Sequence, residues 1–186
     1  MAFPVFFDTC ALFGGTLNDT FLRLAERGAY RVLWSEGILA ELERNLCDRA
    51  GQAAATHRLA AMRGAFPDAA VSDYEDLVPA MTCDPKDRHV LAAAVRGNAE
   101  VLVTFNTRDF PASSIEPHRI TLADPDDFLL DQLDLHPSHV LSALSDQVRD
   151  ARRPRLTLSR LLDILERSDV PKFAAELRRN EFNGKR

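Results

Sequence analysis

Cysteine is scarce in this chain of 186 residues. Cys10, Cys47 and Cys83 are an odd number with no close pairing, which excludes a disulfide-stapled miniprotein and points to reduced thiols. Long apolar runs are missing too: the opening run from Phe3 to Phe7 is far too short to cross a bilayer. Met1 to Phe7 also lacks the basic start and small-residue cleavage site of a secretion signal. No repeat or low-complexity segment is present. There is no basic surplus either, since the formal charge of −5 argues against a protein that coats nucleic acid. No GK[ST] phosphate loop occurs, and Gly14-Gly15 lacks the spacing of a dinucleotide loop. These absences lead to the expectation of a soluble, cytoplasmic protein with no membrane partner.

What is present is ordinary globular material, 46% hydrophobic and 27% charged. The length suits one full domain plus an appendage. Charge is unevenly spread. Residues 68–131 carry 13 acids against 5 bases, whereas residues 149–186 carry 11 bases against 6 acids. An acidic middle repels phosphate unless cations neutralise it.

Phe3-Pro4-Val5-Phe6-Phe7 is an apolar run stopped by Asp8, the pattern of a buried parallel strand. A helix from Leu17 to Arg27 follows, then a second strand at Tyr30-Arg31-Val32-Leu33-Trp34. Ser35 reads as an N-cap for a helix with Ile38, Leu42 and Leu46 on one face, and Gln52 to Met62 as another helix. A short helix is expected around Glu75 to Val78. Asp84-Pro85 then marks a cap and first-turn proline for a helix from Lys86 to about Gly97-Asn98. Val101-Leu102-Val103-Thr104 and Arg119-Ile120-Thr121-Leu122 close the set of strands. Helices separating short apolar strands predict a three-layer α/β/α domain with a central parallel sheet over residues 1–122. Residues 123–186 read as an all-helical extension, with helices at 126–134, 138–152, 157–167 and 171–180.

In open parallel sheets, functional groups gather beyond the carboxyl ends of the strands. Asp8 follows the first strand there, and Asn106 and Asp109 follow Val101 to Thr104. Asp87 lies on the apolar register of Val90, Leu91, Ala94 and Val95, which aims it inward. A capping acid at N3 is the alternative, and helical geometry leaves both open. Asp84 reads as a cap that could also join the acids. Glu36, Glu41 and Glu43 share one helix, and its geometry does not choose between Glu41 and Glu43. Carboxylates that converge without matching cations repel one another. A hard divalent ion resolves the repulsion and supplies an activated water for phosphodiester chemistry.

Four stretches resemble the PIN-domain ribonucleases, in particular the VapC-type toxins of bacterial toxin–antitoxin pairs. They are Phe7-Asp8-Thr9-Cys10, Trp34-Ser35 with Ile38-Leu39-Ala40-Glu41-Leu42, Asp84-Pro85-Lys86-Asp87-Arg88-His89-Val90-Leu91-Ala92-Ala93-Ala94, and Val103-Thr104-Phe105-Asn106-Thr107-Arg108-Asp109-Phe110. The resemblance implies a metal-dependent endoribonuclease whose catalytic, metal-binding acids are Asp8, Glu41, Asp87 and Asp109. It settles Glu41 over Glu43, and it gives Thr104 and Asn106 supporting roles beside Asp84. It also implies Mg²⁺ or Mn²⁺, a homodimer, tRNA or rRNA as substrate, and a cognate VapB-like antitoxin that blocks the groove. Small toxins of this kind end soon after the last strand. The helical continuation here resembles that of a longer VapC-like subgroup.

Other readings were weighed against this one. A haloacid-dehalogenase-type phosphatase needs a second acid two residues after the strand-end Asp, and that position is Cys10. His136 and His139 flank Pro137-Ser138, which reads as a helix start rather than half of a zinc site. Arg149, Arg152, Arg153, Arg155 and Arg160 form a basic stretch that either is a solvated helix end or grips RNA phosphate. Two competing functions remain: a catalytically silent RNA- or protein-binding module using the same groove, and a DNA-binding helical tail.

Overall fold

The computed structural model describes residues 2–151 and 155–183, and the chain divides into two compact units. The first comprises residues up to Phe13 together with Tyr30–Ala123, and the second Gly14–Ala29 together with the residues from Asp124 onward.

In the first unit the apolar run forms β1 (Pro4–Phe7), with Phe6 and Phe7 fully buried. A strand with no solvent-facing side must be central, because its apolar side chains need cover on both faces. Accordingly β1 lies between β2 (Arg31–Ser35) and β4 (Val101–Val103). β3 (Ala70–Val71) and β5 (Thr121–Ala123) form the edges, giving a parallel five-stranded sheet in the order β3-β2-β1-β4-β5. Burying large side chains such as Trp34 and Phe6 contributes about 1.5–3 kcal/mol each. β3 was not expected, since two residues are too short for a periodic signal.

Helices lie on both sides of this sheet. α1 (Thr9–Phe13) continues directly from β1. α3 (Glu36–Ala50) starts as expected at Ser35, whose hydroxyl accepts from the Ile38 N–H at 3.2 Å, and α4 (Gln52–Ala65) follows it. The segment Glu75–Ala80 is a stretch of 3-10 helix. α5 (Arg88–Arg96) begins two residues later than the Lys86 start read from the sequence. The reason is local: Asp84 Oδ1 accepts from the Lys86 N–H at 3.1 Å, and its carbonyl accepts from the Asp87 N–H at 2.9 Å. A tight turn thus precedes the helix. At the far end, Gly97 is required by close approach, because a Cβ there would stand 2.9 Å from Val71 Cγ2. A single helical turn, α6 (Ala112–Ile115), leads toward β5.

The second unit is helical: α2 (Gly15–Glu26), α7 (Pro125–Leu135), α8 (Pro137–Asp150), α9 (Leu158–Glu166) and α10 (Pro171–Asn183). Three of these open on proline, which fits a first turn whose N–H groups lack partners anyway. Asp124 caps α7 through the Asp126 N–H, and Thr157 caps α9 through the Arg160 N–H. α2, which the sequence reading places with the strands, clusters here. Buried Gln147 ties it down, donating to the Thr16 carbonyl and accepting from the Thr20 hydroxyl, each at 2.9 Å. Arg23 and Arg27 pair with Asp150 and Asp146.

Candidate functional site

Strand register builds the first half of the site. Phe7 stands opposite Val103 in the parallel pair β1–β4, so the next residue on each chain, Asp8 and Thr104, meet. The Asp8 N–H donates to the Val103 carbonyl at 3.1 Å. Its side chain is 5% exposed, with Oδ1 accepting from the Thr9 N–H and Oδ2 from the Thr104 hydroxyl, both at 2.7 Å. The same hydroxyl accepts from the Asn106 N–H at 3.0 Å, which sets the turn after β4. The Asn106 residue itself is exposed.

Cys10 joins this cluster, donating its thiol to Asp8 Oδ2 at 3.2 Å and accepting from the Phe105 N–H at 3.3 Å. Burial, and then the Asp8 charge, push the thiol up to about 12. It stays protonated and is no nucleophile.

The α3 glutamates separate cleanly. Glu41 Oε2 accepts from the Thr9 hydroxyl at 3.1 Å, beside Asp8. Glu43 instead accepts from Gln52 at 3.1 Å, and Glu36 pairs with Arg63 at 2.6 Å.

The second half comes from the turn before α5. Asp87 occupies the N-cap position, yet its side chain makes no capping bond. Its Oδ2 is buried without a hydrogen-bond partner. The Asp84 N–H donates to the Asp109 carbonyl at 3.0 Å, joining this turn to the 3-10 turn Thr107–Asp109. Lys86 bridges the two acids, its Nζ 3.1 Å from Asp109 Oδ2 and 3.9 Å from Asp87 Oδ2. Burial raises the Asp87 carboxyl to about 6, with Lys86 pulling it down and Asp8, Asp109 and Asp84 pushing it up. Asp8, Asp87, Asp109 and Asp84 therefore lie within electrostatic reach of one another.

Such a set is suited to a hard cation: the donors are carboxylate oxygens, one of them buried without a hydrogen bond, and an ammonium already stands between two of them. Among the described residues no three His, Cys, Asp or Glu side chains converge as a ready-made ligand cage. Mg²⁺ does not require one, because it keeps several waters and takes one or two carboxylates directly. Elsewhere, His136 at the α7–α8 junction stacks on His139 in the first turn of α8, with ring centroids 5.3 Å apart. Arg149 is exposed and paired with Asp146 and Asp150, Arg155 is exposed, and Arg152 and Arg153 lie outside the described residues. The sequence reading gave no site role to Lys86, Thr9 or Cys10. Lys86 carried a signal nonetheless, as a lone cation between Asp84 and Asp87 in an acid-rich segment.

The description of the PIN domain matches residues 4–108, more than half of the chain. The chain belongs to the PIN-domain family. Asp8, Glu41 and Asp87 fall inside the matched PIN span, and Asp109 is the residue just after it. Beyond the PIN domain, residues 125–179 match the VapC50 C-terminal domain, which covers α7 to α9 and most of α10. Over 106 residues the chain is 48% identical to "Putative ribonuclease VapC50" of Mycobacterium tuberculosis (strain ATCC 25618 / H37Rv). That alignment takes in 57% of this chain and 62% of the relative. No solved structure matches the chain.

Proposed function

We propose that this PIN-domain protein is a Mg²⁺- or Mn²⁺-dependent endoribonuclease, the toxin of a type II toxin–antitoxin pair acting on tRNA or rRNA. One observation carries the reading: the buried Asp87 Oδ2 has no hydrogen-bond partner in a group of carboxylates that outnumbers the one cation among them, Lys86. The name of the 48%-identical relative, a ribonuclease, supports the same activity. In this reading residues 1–122 supply the nuclease and 123–186 an extension that contributes to partner or RNA contact.

Asp8, Glu41, Asp87 and Asp109 hold the cation. When bound, it lowers the pKa of the attacking water and offsets charge on the phosphate. Thr104 holds the Asp8 carboxylate in place, Asp84 fixes the turn that delivers Asp87, and Asn106, exposed at the turn after β4, orients water in this reading. Arg149 together with Arg152, Arg153 and Arg155 offers phosphate contacts on the second unit. A VapB-like antitoxin, a homodimer and a cytoplasmic location complete the proposal. No described helix is long and apolar enough to cross a membrane.

The test is cleavage of tRNA and rRNA by the full chain with Mn²⁺ or Mg²⁺. The wild type cleaves, and Asp8→Asn lowers the rate by roughly 100-fold or more through loss of a ligand. RNA left intact by the wild type with either ion present would leave the silent binding module instead.

A further inference from the structure

Lys86 is exposed where the acids it touches are not. Its side chain is 64% accessible, against 13% for Asp87 and 27% for Asp109, yet its Nζ stands 3.9 Å from Asp87 Oδ2 and 3.1 Å from Asp109 Oδ2. The backbone beneath it is held. The Lys86 N–H donates to Asp84 Oδ1 at 3.1 Å, and the Asp84 N–H donates to the Asp109 carbonyl at 3.0 Å. One end of the residue is therefore fixed at the acid site, while a flexible four-carbon stem carries the ammonium. An anion in solution can reach a side chain this exposed. The present pairing offers little resistance, because an exposed ammonium–carboxylate pair is weak and screened by salt. It also engages the two carboxylates, Asp87 and Asp109, on which a hard divalent ion would draw. Ammonium and ion cannot both be served by them in full.

On the nuclease reading proposed above, we infer that Lys86 is a phosphate-binding residue that trades Asp109 for an RNA backbone phosphate once the carboxylates hold their ion. In the metal-free protein its charge is spent on Asp109 and Asp87. With those acids engaged elsewhere, the ammonium is left without an anion at the rim of the site, and the substrate brings one. A compact charge with three donors on a turning stem can follow either partner. The exchange couples the two ligands: ion binding frees the ammonium that RNA uses, so each tightens the binding of the other by the same factor. A lysine that only neutralised the acids would give no such coupling.

The test uses the full chain and a fluorescein-labelled single-stranded oligoribonucleotide with phosphorothioate linkages, which keep the charge of each phosphate and resist hydrolysis. A gel confirms that the strand is intact, and melting in EDTA is the control for folding. In EDTA, wild type and Lys86→Met are expected to bind this strand within about twofold of each other, since the ammonium is engaged by carboxylates. With saturating Mg²⁺, wild type binds about tenfold more tightly than Lys86→Met, the strength of one hydrogen bond to a charged group. Lys86→Arg recovers most of that difference, because the cation is kept. Equal affinity of wild type and Lys86→Met in Mg²⁺ overturns the inference. So does a loss of the same size in EDTA, which would mean that the lysine acts on RNA without any exchange. A Lys86-dependent gain in Mg²⁺, together with unmodified RNA that survives Mn²⁺, would overturn the nuclease reading and leave the exchange standing. Unmodified RNA that is cleaved, with no Lys86-dependent gain, would do the reverse.

Discussion

Asp87 is held in a condition that folding alone does not favour. Its carboxyl, ordinarily near 3.8, is raised to about 6, so the native state prefers it neutral. A raised acid penalises the folded chain fully above the folded value. The penalty shrinks as pH falls through about 6 and is gone below the unfolded value. Asp87→Asn should therefore stabilise the metal-free protein at pH 7–8 by on the order of 1 kcal/mol, discounted for the part of the group that water reaches. That corresponds to about 2–4 °C for a chain of this size. The gain should vanish near pH 4, as read from melting in EDTA. An equal gain at both pH values would contradict the electrostatic cause. Lys86 sits on the same balance. As an ammonium stand-in between Asp87 and Asp109, it competes with any incoming ion. Lys86→Met should tighten Mn²⁺ binding about two- to fivefold, the range set by exposed ion pairs. Weaker binding would show that the lysine organises the acids rather than occupying their place.

At the scale of elements, a second buried carboxylate does structural work. Asp126, 3% exposed in α7, accepts from the Phe173 N–H at 2.8 Å and the Lys172 N–H at 2.9 Å, capping α10 from a distance. Asp126→Ala should cost about 2 kcal/mol, through two orphaned amides at a helix start. Loss of helical circular dichroism at lower temperature checks it, and an unchanged melt would refute the capping role. The sequence disclosed the helices of this unit through periodicity and proline punctuation. It did not disclose that α2 belongs with them. A stripe of Leu17, Phe21 and Leu24 says that one face is buried, but not against what. The deciding bonds join Thr16 and Thr20 to Gln147, more than a hundred residues away. α5 shows the opposite limit. Asp84-Pro85 was legible as a helix signal, yet the Asp84 side chain closes a turn first and leaves Asp87 at the boundary.

At the scale of the whole molecule, the site follows from sheet order. A parallel sheet with β1 beside β4 places the residues after both strands on one edge. That much was readable from two apolar runs and the acids that end them. The choice of Glu41 over Glu43 was not readable from helical geometry. The structure sets the two side chains apart, α1 bringing Thr9 to Glu41 while Glu43 turns to α4. Asn106 shows less, since the turn fixes its backbone and leaves its side chain at the exposed rim. The central claim is that acids distant in sequence share one divalent ion. Titrating Mn²⁺ into the full chain by calorimetry tests it most directly, with circular dichroism to confirm folding. Saturable binding that Asp8→Asn, Asp87→Asn and Asp109→Asn each weaken, while Glu43→Gln does not, is the predicted result. Binding that survives all three aspartate substitutions, or none in the wild type, would contradict the account.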